Sequence, residues 1–251
     1  MSIRPKHVLG GAAVAAVLLV AGVAGDALVF SRAPESIPAP GGFITPAEAR
    51  SARPRVTYGA PAGQFDHYVL ALSWSPAFCE REGQRKGRSQ CAPGRRHGFV
   101  VHGLWPQYAG GGYPAECAAA PRQPTRMALD IAAGVFPDEG LARHEWRRHG
   151  VCSGDPPADY FRNVKRARDA VAIPEAYGNP SRPLRATAME LKRAFAAANP
   201  GLRPDMIDVV CRRGALQEVR ICFSRDLRRF QSCNDSGPPR CRSAFVVQPP
   251  M

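Results

Sequence analysis

Arg143-His144-Glu145-Trp146-Arg147-Arg148-His149-Gly150-Val151-Cys152 sets two histidines, one carboxylate and three arginines within seven residues, then breaks at a glycine. In a helix each residue advances about 100° around the axis. With His144 as the origin, Arg148 falls at roughly 40°, Glu145 at roughly 100° and His149 at roughly 140°. Four ionisable groups therefore share one face, while Trp146 and Arg147 point elsewhere, so Trp146 reads as core. A solvated helix has no need to gather acid, base and cation on one side, and this face is the candidate for chemistry.

Zinc is the first chemistry to weigh. The zinc-protease motif H-E-x-x-H puts its histidines at i and i+4 on one face. Here the segment is H-E-W-R-R-H, one residue longer, with Arg148 between the two imidazoles, and a metal is disfavoured. The same groups suit metal-free chemistry at a phosphate, where a base takes one proton, an acid gives another, and cations steady the charge that builds on phosphorus. Histidine titrates near neutrality and serves in either role. An in-line displacement needs groups on both sides of the phosphate, which one helix cannot supply. The second histidine must come from elsewhere, and His102 is the candidate.

Upstream, His97 to Pro106 (HGFVVHGLWP) reads as a strand. Alternation puts Val100 and His102 on one face and Phe99 and Val101 on the other; Gly103 would let a backbone or ligand approach closely. Gln107 to Pro124 reads as a loop, Met127 to Val135 as a short helix, and Pro137 to Gly140 as a turn into the central stretch. Phe65 to Trp74 (FDHYVLALSW) has the content of a buried strand, with Trp74 in the core. Glu80 to Arg96 is a polar loop bracketed by Cys79 and Cys91. His67 and His97 read as structural or exposed. Downstream, a helix is expected from about Ala158 to Val171 after Asp155-Pro156-Pro157. Thr187-Ala188-Met189-Glu190 has the capping-box pattern of another, ended by Asn199-Pro200-Gly201. Met206 to Cys211 and Leu216 to Phe223 are strand-like and joined by a hairpin at 212–215, and Ala244 to Val247 is a last strand. Strands and helices mix without regular βαβ alternation, which points to an α+β fold.

At the start, Arg4 and Lys6 precede an uncharged run from Val8 to Gly25, the layout of a signal peptide or an uncleaved N-terminal anchor over residues 1–30. Residues 31–63, rich in Pro, Ala and Gly, read as a poorly ordered linker, and residues 64–251 as the domain. Eight cysteines without a C-x-x-C pair disfavour zinc ribbons and thioredoxin-type motifs. Beside an export segment they imply disulfides, with roughly a hundred pairings open. A net charge of +13, from 34 basic against 21 acidic residues, favours a polyanionic partner such as nucleic acid or an anionic membrane surface.

His102-Gly103-Leu104-Trp105-Pro106 together with His144-Glu145-Trp146-Arg147-Arg148-His149-Gly150-Val151-Cys152, about 40 residues apart, resembles the two active-site segments of the ribonuclease T2 family, in its bacterial periplasmic branch. The resemblance runs from about Gln64 to Phe245. It implies a single α+β domain with a central antiparallel sheet and flanking helices. It further implies a secreted or periplasmic endoribonuclease that works without metal or cofactor. His149 would be the base on the 2′-hydroxyl, His102 the acid for the leaving group, and Glu145 and Arg148 the stabilisers of the transition state. His144 would bind phosphate, with Trp105 and Gln107 holding the base. Single-stranded RNA would be the substrate, through a 2′,3′-cyclic phosphate to a 3′-phosphate, with DNA left intact and the enzyme a monomer. The implied disulfides are Cys79–Cys91, Cys117–Cys152, Cys211–Cys241 and Cys222–Cys233. Two positions depart from the family: Arg148 stands where lysine is usual, and Gln107 where some members have an acid that reads the base. A catalytically weak RNA-binding relative of the same fold is the competing reading, and the presence of all three histidines and the glutamate argues against it.

Overall fold

The computed structural model describes residues 55–83, 89–118, 121–233 and 239–250. The export segment and the linker up to residue 54 lie outside them. In chain order the elements are β1 (Val56–Tyr58), β2 (His67–Trp74), the short helix α1 (Ser75–Phe78), β3 (Phe99–Gln107) and β4 (Tyr113–Ala115). There follow α2 (Arg126–Ala133), α3 (Glu139–Arg148), α4 (Pro157–Asp169), the short α5 (Glu175–Gly178), β5 (Leu184–Ala186) and α6 (Ala188–Ala198). The chain ends with β6 (Ile207–Arg212), β7 (Ala215–Ser224) and β8 (Phe245–Val247).

The sheet grows around β2, whose residues are almost all buried. It pairs antiparallel with β3 on one side and with β7 on the other, and β7 pairs antiparallel with β6. A parallel bridge from Ala215 to Val246 then appends β8 and its antiparallel partner β5. The expected antiparallel centre is present, and only this extension makes the sheet mixed. Tyr68, Leu70, Leu72 and Trp74 alternate onto one face and pack with Leu104, Val219 and Ile221 into a core that includes Trp146, Tyr160 and Phe161 of α3 and α4. Fully burying each such side chain contributes about 1.5–3 kcal/mol. The hydroxyl of buried Tyr160 donates to the carbonyl of Leu104 at 3.0 Å, fastening α4 to β3. The opposite face of the sheet carries the polar groups described below.

The caps explain where the helices start. Thr187 and Glu190 form the expected capping box at α6. Asp138 accepts from the N–H of Leu141 at 2.8 Å and so begins α3 at Glu139. The Pro137–Gly140 turn read from the sequence is therefore a cap and a first helical turn, because an aspartate ahead of a helix satisfies its open amides. The β6–β7 hairpin turns on Arg213 and Gly214, both at positive φ, the requirement of a tight two-residue loop. Two further differences concern loops. Residues 55–63, read as linker, include β1, which pairs in parallel with β4 inside the Gln107–Pro124 segment. Three-residue strands are too short to leave an alternation pattern.

All four implied disulfides are formed: Cys79–Cys91, Cys117–Cys152, Cys211–Cys241 and Cys222–Cys233. Cys117–Cys152 ties the segment after β4 to the turn that follows α3, and so joins the two histidine-bearing parts of the chain.

Candidate active site

His102 reaches the site through an irregularity in β3. Ala71 pairs with Gly103 and Leu72 with Val101, so His102 is the extra residue of a bulge. Simple alternation would put His102 and Trp105 on opposite faces. The bulge resets the phase: Val101 and Leu104 are both buried in the core, while the rings of His102 and Trp105 meet edge to face at 5.2 Å. Because β3 is the outer strand of the sheet, the end of α3 can close against it.

That closure depends on Gly103. A Cβ there would lie 2.2 Å from Glu145 Oε2 and 2.4 Å from Trp105 Nε1. The expected close approach is therefore made by a side chain, the buried carboxylate of Glu145, which accepts from Trp105 Nε1 at 2.8 Å. Its other oxygen stands 3.7 Å from His102 Nε2. Burial pushes the Glu145 acid up to about 7, against the pull of His102 and Trp105.

His149 ends α3, its φ of −126° departing from the helix while its N–H still reaches Glu145. Gly150 then lets the chain pass close to Trp146 and Tyr160, which a Cβ would meet at 2.5 and 2.9 Å. The His149 ring packs against Trp105 at 5.4 Å and Tyr113 at 5.7 Å. Trp105 thus contacts both histidines. Burial, and then the positive charges of Arg148, His102, His144 and Arg220, hold His149 down at about 3. His102 goes the other way. Desolvation disfavours its charged form, but the hydrogen bond and charge of Glu218, with the charge of Glu145, outweigh it and raise its pKa. The two imidazoles are thus shifted in opposite directions.

His144 is exposed on α3 and lines a cavity of about 570 Å³ that it shares with His102, Glu218 and Arg220. Trp105, Gln107, His149 and Arg220 line a second cavity of about 260 Å³ on the other side. The Gln107 amide nitrogen donates back to the Pro106 carbonyl at 2.9 Å. Arg148 is held by Glu116 at 2.6 Å and by the Tyr58 hydroxyl at 2.9 Å. Among the described residues no group of three or more His, Cys, Asp or Glu side chains could hold a metal ion. Trp146 and Trp74 are buried, as read. His67 is buried beneath Gln107, which it faces across the β2–β3 ladder.

Sequence reasoning missed Glu218 and Arg220. Glu218 accepts from His102 Nδ1 and from Arg220 Nε, both at 2.6 Å, and the Arg220 guanidinium sits 5.0 Å over the Trp105 ring. A signal existed: in Leu216–Phe223 a carboxylate and a guanidinium two residues apart interrupt apolar neighbours, and residues i and i+2 of a strand share a face. Tyr58 and Glu116 gave none.

Two histidines with oppositely shifted pKa values meet one indole ring beside a buried carboxylate, on a disulfide-stapled α+β domain. The sequence description of the Ribonuclease T2 family matches residues 65–233. A ribonuclease of Aeromonas hydrophila is 37% identical over 184 residues, covering 69% of this chain and 79% of that one. A probable ribonuclease of Haemophilus influenzae is 36% identical over 121 residues, 43% of this chain and 44% of its own. Among solved structures, RNase NT in complex with 5′-AMP superposes with a TM-score of 0.58 at 21% identity, over 75% of this chain and all (100%) of that one. The chain belongs to the ribonuclease T2 family, and is an endoribonuclease of that type.

Proposed function

We propose that the protein is a secreted or periplasmic endoribonuclease that cleaves single-stranded RNA by transesterification. His149 takes the 2′-hydroxyl proton as the 2′-oxygen bonds to phosphorus. His102 gives its proton to the 5′-oxygen as the P–O5′ bond breaks, leaving a 2′,3′-cyclic phosphate. In the second step the roles reverse: His102, now neutral, takes a proton from water as its oxygen bonds to phosphorus, and protonated His149 gives its proton to the 2′-oxygen as the P–O2′ bond breaks, leaving a 3′-phosphate. The observation that carries this reading is the convergence of His102 and His149 on Trp105 with Glu145 beside His102, in surroundings that raise the pKa of His102 and lower that of His149. A bound phosphodiester is negative, so it counters the surrounding cations that hold His149 down and makes it a better base when substrate is present.

Glu145, beside Trp105 and His102, and the cations Arg148 and His144 are assigned to the phosphate and its transition state. Trp105 and Gln107 border the smaller cavity and are assigned to the base, with Trp105 the stacking surface. Export is supported by the N-terminal segment and by four disulfides, which persist in oxidising compartments. Among the described residues no helix is long and apolar enough to cross a membrane.

The test is cleavage of a defined oligoribonucleotide carrying a single 2′-deoxy linkage. Cyclic-phosphate ends at every cleaved bond, an intact deoxy linkage, and a rate unchanged by EDTA are expected. His102→Phe and His149→Phe should each lose about 10²–10⁴-fold in rate. Cutting at the deoxy linkage, or wild-type rates from either variant, would refute the assignment.

A further inference from the structure

We infer that Glu218 is a positioning residue for the leaving-group step, holding His102 by Nδ1 so that Nε2 faces the departing 5′-oxygen, and tying Arg220 into the same assembly with its second oxygen. The inference rests on the reading of His102 as the general acid.

Glu218 sits in the middle of β7, between Ser73 of β2 and Val210 of β6 in the ladder, and is only 6% exposed. Burying a carboxylate is unfavourable unless it is paired and hydrogen-bonded. Here each oxygen has its own charge-assisted partner, His102 Nδ1 at 2.6 Å and Arg220 Nε at 2.6 Å. For stability alone, an apolar residue beside Val219 would serve as well or better. What the carboxylate adds is control of a ring. With Nδ1–H committed to Glu218, the exchangeable proton of His102 resides on Nε2, the nitrogen that faces Glu145 and the Trp105 side of the site. Glu145 cannot substitute, since it meets the ring at Nε2 and its own acid is pushed up to about 7.

The charge environment agrees. Although burial opposes it, Glu218 is held at about 2 by His102 and Arg220, so it remains an anion wherever the enzyme works. From α3, Glu145 favours the charged His102, and His149 is held neutral beside it. From β7, Arg220 opposes the charge on His102. Across the shared cavity stand His144, Arg81 and Arg212, with Glu82 and Asp138 of opposite sign. Of the groups around the ring, Glu218 makes the shortest contact and is the strongest influence raising the His102 pKa.

Glu218→Gln keeps the shape and an acceptor but removes the charge, whereas Glu218→Ala removes both. Each is compared with wild type on a dinucleoside 3′,5′-phosphate, whose alkoxide must be protonated, and on a nucleoside 3′-(4-nitrophenyl phosphate), whose leaving group departs without a proton. For Glu218→Gln, kcat/KM on the dinucleotide should fall about tenfold and the high-pH limb of its profile should move down by about one unit. Glu218→Ala should lose about a hundredfold. Both variants should stay within about threefold of wild type on the nitrophenyl ester. NMR titration of the His102 ring in Glu218→Gln, with thermal unfolding to register folding, gives a readout independent of turnover, and its pKa should fall. Equal losses on the two esters, an unmoved high-pH limb, or an unshifted His102 titration would overturn the inference. The underlying reading fails separately: it is wrong if His102→Phe itself loses equally on both esters.

Discussion

Gly103→Ala is a single-methyl perturbation of the point where β3 and α3 meet. The new Cβ would stand 2.2 Å from Glu145 Oε2 and 2.4 Å from Trp105 Nε1, so the carboxylate must withdraw by about 1 Å to reach ordinary contact. Overpacking of this kind costs about 1–3 kcal/mol, and breaking the buried Trp105–Glu145 bond about 1–3 kcal/mol more. For a domain of this size each kcal/mol lowers Tm by about 2–4 °C, giving an expected drop of about 4–24 °C. Misplacing a reacting group by about 1 Å costs roughly 10²-fold in rate, and Glu145 lies beside His102 Nε2. Circular-dichroism melting and kcat/KM on an oligoribonucleotide report the two effects together. A variant with wild-type Tm and rate would refute the placement of Glu145 over Gly103. Lost rate without lost stability would separate the catalytic geometry from the packing.

Cys117→Ser with Cys152→Ser opens a link between residues 35 apart and should lose about 3–4 kcal/mol of stability. It should also depress activity more than Cys222→Ser with Cys233→Ser does, because only the first bridge joins the two histidine-bearing segments; melting and turnover of the two pairs decide it. Stability should also depend on pH in a particular shape. His149, lowered to about 3, and Glu218, lowered to about 2, bind fewer protons folded than unfolded, so their contributions are lost on acidification. Glu145, raised to about 7, does the reverse. Between about pH 6.5 and 4.5 the His149 and Glu145 slopes cancel. Below about 4.5 His149 and Glu218 act together and about 2.7 kcal/mol should be lost per pH unit. Above 6.5 the raised His102 gives up stability as it deprotonates. Urea unfolding across pH 3–8 should show a shallow fall below about 6.5, where the lowered His67 also acts, and then a steeper acid edge below about 4.5, and a uniform slope from 6.5 downward would contradict these states. Arg148→Lys exchanges a fork that reaches both Glu116 and Tyr58 for a point charge. It should change kcat/KM by less than about tenfold, and a hundredfold loss would contradict that reading of Arg148.

Much of the site was legible because its residues announce themselves locally. The crowded face from His144 to His149, the Thr187–Glu190 capping box and the buried run from His67 to Trp74 each carry their pattern within a few residues. The disulfides came from resemblance, since cysteine spacing alone leaves too many pairings. What escaped is non-local. The bulge at His102 breaks the period-two alternation that the sequence reading assumed, and nothing in HGFVVHGLWP marks which residue is the extra one. Gly103 was read as a place of close approach, but what approaches is a side chain from α3. The pairing of β1 with β4 joins residues 57 apart and the hold of Tyr58 on Arg148 residues 90 apart, and strands of three residues have no period to detect. Glu218 was visible as an odd charge in an apolar strand, yet its partner His102 lies 116 residues away.

The proposed acid–base pair requires that the His102 and His149 imidazoles be held in opposite states before substrate arrives. Carbon-detected NMR titration of the free enzyme, with His102→Phe and His149→Phe used to assign the two rings, measures this directly. At pH 6.5 the His102 ring should be predominantly protonated and should titrate above the ordinary histidine value, while the His149 ring should be neutral and stay so down to about pH 4. Two rings titrating together near the ordinary value, or a charged His149 beside a neutral His102, would contradict the account.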